Sequence, residues 1–65
     1  MNNIPFPEFK VKVEYELIKR DLSEQVKYLK YIDTYEGMDS YLVGLLGRDQ
    51  RTQFLKAISG NASLN

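Results

Sequence analysis

From Phe9 to Leu17 apolar and charged residues alternate without a fault, in the order Phe9-Lys10-Val11-Lys12-Val13-Glu14-Tyr15-Glu16-Leu17. Taken alone, this is the pattern of a half-buried strand. A strand needs a partner strand, and no other stretch of the chain offers one. Leu17 to Arg20 also lacks any turn signal that would end a strand there. Wound as a helix, the same region presents two apolar stripes. Phe6, Phe9, Val13 and Leu17 lie on one side; Val11, Tyr15, Ile18 and Leu22 lie on the other. Glu16 and Arg20 then form a pair in the favoured orientation at four-residue spacing. The pattern therefore predicts a helix over 8–20 and an all-α chain. Two stripes mean a helix sandwiched between neighbours, or one with a second face for a partner. The stripe Val11, Tyr15 and Ile18 is the one we assign to a partner.

The second organising stretch is Gly37-Met38-Asp39-Ser40-Tyr41-Leu42-Val43-Gly44-Leu45-Leu46-Gly47-Arg48. Asp39 can cap a helix start. Tyr41, Leu42, Leu45 and Leu46 repeat at three- and four-residue spacing, and Gly47 can take the left-handed conformation that stops a helix. Between the two stretches, Ser23 can cap a helix whose face is Val26, Leu29 and Ile32, running through Tyr31 or Ile32. Residues 33–37 carry capping residues and a glycine, and read as a connection. Beyond Gly47, Asp49 or Thr52 starts a last helix with Phe54, Leu55 and Ile58 inward, and Gly60 stops it. Residues 1–7, with Pro5 and Pro7, read as an N-terminal arm leading into the first helix, and 61–65 as a frayed tail. The expectation is one domain over 1–65, a small four-helix bundle.

Sixty-five residues suit a single domain of marginal stability, or one helped by self-association. The chain has no cysteine and no histidine, which removes disulfides, thiolate or imidazole metal sites and Ser-His chemistry together. The aspartates lack calcium-loop spacing, so no metal or other cofactor is expected. Nine Lys/Arg balance nine Asp/Glu, so there is no overall field to draw the chain onto nucleic acid or an anionic membrane. Met1 to Pro5 reads as neither a signal nor a transit peptide, and no apolar run is long enough to span a bilayer; the expected location is the cytoplasm. Asn61-Ala62-Ser63 matches a glycosylation acceptor and is taken as chance.

Two segments carry a family resemblance. Phe9-x-Val11-x-Val13-x-x-x-Leu17-Ile18-x-Arg20-Asp21-Leu22-Ser23-x-Gln25 is similar to the first helix, the break and the Ser/Thr-Gln opening of the second helix in the Cro/repressor-type (Xre) helix-turn-helix family of phages, plasmids and bacterial chromosomes. Gly37 to Arg48 resembles that family's turn and reading helix. The resemblance implies a helix-turn-helix fold, a dimer, and double-stranded DNA as partner. It places Gln25, Lys27, Arg48 and Arg51 on phosphates, and Ser40, Tyr41, Val43 and Gly44 at the groove. The chain departs from the family in the length between Val26 and Gly37. It departs also at Asp39, where a carboxylate repels phosphate.

Two functions follow. The first is a small DNA-binding transcriptional regulator, a repressor of a phage or mobile element. The alternative is a small protein-binding modulator, an antirepressor or inhibitor that keeps a helical scaffold without binding DNA. The neutral charge, the second stripe on the first helix and the tyrosines fit the alternative, with Val11, Tyr15, Ile18, Tyr31 and Tyr35 as its contact residues. No acid/base pair, nucleophile or cofactor loop is visible, so an enzyme is not expected.

Overall fold

Two proline rings set the start of the first helix. Pro5 occupies its N-cap and Pro7 its first turn, where a missing N–H costs nothing. The structure, a computed structural model, describes residues 4–63, with side chains described through Ser59. Helix α1 spans Phe6–Lys19, so Phe6 and Pro7 belong to the helix rather than to an arm; residues 1–3 lie outside the described residues. Glu8 sits in the first turn and Lys19 in the last, each complementing the helix dipole. The alternating stretch is thus helical, and no strand occurs among the described residues.

Asp21 ends α1. Its φ of 65° is left-handed, a conformation that among non-glycine residues aspartate and asparagine tolerate best. The Asp21 amide donates to the Ile18 carbonyl at 3.0 Å and the Leu22 amide to that of Leu17 at 2.8 Å. This crossed pair is the Schellman arrangement, with the aspartate where glycine usually stands. The chain leaves the helix axis here, so Leu22 turns back against the core and does not extend the outer stripe.

The helix expected between Ser23 and Ile32 is reduced to a 3₁₀ turn, Ser23–Gln25, running into a single α-turn, α2, Val26–Leu29. Ser23 makes no side-chain cap; backbone bonding from Gln25 to Leu22 starts the turn. After Leu29 the bonding tightens to three-residue steps, Tyr31 to Tyr28 and Ile32 to Leu29, and α2 stops there.

Helix α3 spans Tyr35–Leu46, and so starts five residues earlier than an Asp39 cap would place it. The cap is Thr34, whose hydroxyl accepts from the Gly37 amide at 2.9 Å. Gly37 lies inside the first turn because that cap crowds it. A Cβ there would stand 3.1 Å from Thr34 Oγ1 and 3.2 Å from Ile32 Cγ2. Gly47, at φ 88°, stops α3, and α4 follows at once over Arg48–Ser63. It begins before both Asp49 and Thr52, and it passes through Gly60 instead of stopping there. Of the expected frayed tail, residues 61–63 are helical backbone, and 64–65 lie outside the described residues.

The core is Phe9, Val13 and Leu17 of α1, Leu29 of α2, Met38 and Leu42 of α3, and Phe54 and Ile58 of α4. Helices α1, α3 and α4 contribute at one-turn spacing, as expected of an amphipathic bundle, and α2 through Leu29 alone. Helix α4 packs against both α3 and α1, and α1 against α2. Met38 was not among the expected core residues. Leu55, Tyr41, Leu45 and Leu46 are half-buried at its margin. Glu16 is also buried. Its carboxylate accepts from Arg20 Nε at 2.8 Å, and the Arg20 guanidinium lies 5.1 Å from the centre of the Phe54 ring. One ion pair thereby seals the α1–α4 seam.

Candidate interaction surfaces

Two faces compete for a functional role, the outer side of α3 and the outer side of α1. On α3 the buried line is Met38 and Leu42, which leaves Glu36, Ser40 and Gly44 exposed on the opposite side. Ser40 is therefore in the middle of the helix and not at its leading end. The leading turn carries Tyr35 and Glu36 instead. A Cβ added at Gly44 would meet nothing within 4 Å, so no neighbouring helix approaches there. Val43 is half-buried at the edge of this face.

Three of the six polar residues assigned to DNA, Gln25, Tyr41 and Arg51, are engaged within the fold. The Tyr41 hydroxyl donates to Gln25 Oε1 at 2.7 Å, joining α3 to the 3₁₀ turn. Burial pushes the Tyr41 hydroxyl above the ordinary tyrosine range, and the nearby Tyr28 adds to it. Arg51 reaches across from α4 and donates through Nη1 to Asp39 Oδ1 on α3. Asp39 is thus a tie between two helices and not a cap, and Arg51 is neutralised. Arg51 Nε is buried without a partner. Lys27 lies over its neighbour Tyr28, 5.4 Å from the ring centre. Arg48 is exposed at the first residue of α4. Beside Ser40 the charges of Asp39 and Arg51 therefore offset one another.

Tyr31 and Tyr35 are both exposed but lie on different elements. Tyr31 is in the turn after α2, 74% exposed, with Lys30 Nζ 5.2 Å from its ring centre. Tyr35 opens α3 and packs over the start of α1. Its ring meets Phe6 edge-on at 5.2 Å and Phe9 at 5.3 Å, and its hydroxyl donates to the Ile4 carbonyl. It is chiefly a closing residue of the fold, with an accessible edge.

The outer face of α1 is different. Val11, Tyr15 and Ile18 are 59%, 72% and 54% exposed, and they follow one another at four- and three-residue spacing on a single line. Phe9, Val13 and Leu17 on the opposite side are fully buried. The stripe assigned to a partner is thus the outward one. Beside it runs a shallow groove of about 180 Å³ lined by Lys12, Tyr15, Glu16, Lys19 and Ile58. Lys12, Glu14 and Lys19, which flank the stripe, were not among the expected contact residues. Their signal was available, because the spacing of the stripe fixes which residues border it.

Among the described residues no group of three or more His, Cys, Asp or Glu is placed to hold a metal ion. No helix among them is long and apolar enough to cross a membrane. Compared with known proteins, the chain matches no family model, no curated protein and no solved structure.

Proposed function

We propose that this chain is a small protein-binding modulator whose docking surface is the outer face of α1. The observation that carries this reading is the line of three large apolar side chains, Val11, Tyr15 and Ile18, each more than half exposed on a rigid helix. Their opposite numbers already fill the core, so the fold itself does not require them. A contiguous apolar stripe bordered by charge is what helix-to-helix recognition uses.

The DNA-binding reading draws support from the exposure of Ser40 and Gly44 on one side of α3 and of Arg48 at the start of α4. Weighing against it, Gln25 and Tyr41 are bonded to each other, Arg51 to Asp39, and Glu36 stands in the leading turn. Phosphate contacts need unspent cations, and this face has few.

The test places a photo-crosslinking phenylalanine analogue at Tyr15 or, separately, at Ser40 in the producing cells. It also titrates the purified chain against a pool of random DNA duplexes at low salt. Protein adducts from position 15 that disappear with Val11→Glu, with no duplex retardation, are the expected result. Duplex retardation together with no adduct from position 15 would return the function to α3 and to DNA.

A further inference from the structure

We infer that the occupant of the α1 face is α1 of a second copy of this chain, running parallel to the first. The inference rests on the docking role proposed above and names its partner. Val11 to Tyr15 is a step of four and Tyr15 to Ile18 a step of three, the alternation of a coiled-coil seam. In that register Val11 and Ile18 are d positions and Tyr15 is an a position. The bordering residues then fall into two rows of opposite sign. Lys12 and Lys19 occupy the e positions on one flank, and Glu14 the g position on the other.

Orientation follows from those rows. In a parallel pair each g residue faces the e residue five positions later on the other helix. Glu14 then meets Lys19 of the second copy, and two-fold symmetry makes the pair twice. In an antiparallel pair like rows face each other. Lys12 would stand against Lys19 of the second copy in two places, and Glu14 against Glu14. Only the parallel arrangement is complementary.

Both charged groups are available for it. Glu14 has no ion pair among the described residues, and Lys19 has only a loose one, 3.8 Å from a Glu16 carboxylate that Arg20 already holds at 2.8 Å. Tyr15, the most exposed of the three apolar residues, stands at the middle of the seam, where aromatic side chains contribute most to association. Helix α1 has 14 residues and is about 21 Å long, two heptads, so the seam is short. The dimer is accordingly weak and concentration-dependent, at the small end of specific interfaces.

The experiment is sedimentation of the full chain over a wide concentration range, with circular dichroism to check helix content. The wild type is expected to dimerise, and Tyr15→Glu to remain monomeric with its helix content unchanged. Glu14→Lys or Lys19→Glu alone replaces two attractions by two repulsions and should weaken association by about tenfold or more. Combining the two restores it. Because the chain has no cysteine, Ile18→Cys reports orientation. A parallel seam sets position 18 against itself, so the oxidised protein forms a symmetric disulfide dimer. An antiparallel seam separates the two copies of that position by about 10 Å along the axis and prevents it.

A wild-type chain that stays monomeric at its solubility limit overturns self-pairing and leaves the docking role to the crosslinking test. A dimer that survives Tyr15→Glu lies on another face and likewise overturns self-pairing through α1. A dimer without the Ile18→Cys disulfide, but crosslinked when Val11→Cys and Ile18→Cys proteins are mixed, overturns the parallel orientation.

Discussion

Leu17 and Ile18 are adjacent in sequence and nearly isosteric, yet the fold gives them opposite environments, and this makes the sharpest test of the structure. Leu17 is fully buried between α1 and the other helices; Ile18 is 54% exposed on the outer stripe. Truncating a fully buried leucine to alanine costs about 2–5 kcal/mol, the transfer term plus the cavity left behind. A 65-residue chain has about 3–10 kcal/mol of stability in total. Leu17→Ala therefore removes a large part of it and should lower the melting temperature by at least about 10 °C. Ile18→Ala removes methyl groups that already face water, and alanine is the better helix former, so its effect should stay within about 0.5 kcal/mol. The assay is urea unfolding followed by far-ultraviolet circular dichroism, at the lowest workable protein concentration. Concentration matters because pairing through the stripe would stabilise the wild type by mass action and lend Ile18 an apparent contribution. Equal losses for the two variants at low concentration would refute the assignment of the two stripes.

Arg20→Ala leaves the buried Glu16 carboxylate with only the distant Lys19 and removes the guanidinium from the Phe54 ring; a loss of about 1–3 kcal/mol in the same unfolding assay is expected. Arg20→Lys should recover only part of it, since an ammonium lacks the planar stack. Gly44→Ala should stabilise by up to about 1 kcal/mol, because the position is helical and open, whereas Gly37→Ala should gain nothing or lose stability as its Cβ presses on the Thr34 cap. Thermal melts of the two variants side by side decide that contrast. The Tyr41 hydroxyl has its pKa raised in the folded state, so its contribution is fully present below the ordinary tyrosine value and is lost as pH rises through the folded one. Wild type should therefore lose stability more steeply than Tyr41→Phe above about pH 10, as followed by unfolding at stepped alkaline pH.

Much of the fold was legible because it rests on periodicity. The inward stripe Phe9, Val13 and Leu17, the inward Phe54 and Ile58, and the Glu16–Arg20 pair all follow from positions three and four apart. The alternation that resembles a strand resolved to a helix because nothing else in the chain could pair with it. What escaped notice lies at the helix ends, where single residues decide and several can serve. Thr34 and Asp39 are both good caps, and Gly37 between them looks like a breaker. The choice fell to Thr34 because the helix then places Met38 and Leu42 in the core one turn apart. At Gly60 the opposite held: glycine permits a stop but does not require one, and α4 runs on to Ser63.

The candidate site was less legible, for a reason tied to size. Gln25, Tyr41, Asp39 and Arg51 are residue types that contact nucleic acid when free, and their spacing alone cannot say whether they are free. A chain this small has few apolar residues with which to join its helices, so polar side chains serve as ties: Tyr41 to Gln25 across α3 and the 3₁₀ turn, Arg51 to Asp39 across α4 and α3. Each tie withdraws a group from the surface where a ligand would meet it. The outer stripe of α1 shows the converse. Val11, Tyr15 and Ile18 have no internal use, since the core is complete without them. Leaving three large apolar side chains in water is unfavourable for a lone chain, and covering them with a partner helix is the simplest way to remove that cost. The flanking charges then decide which helix fits.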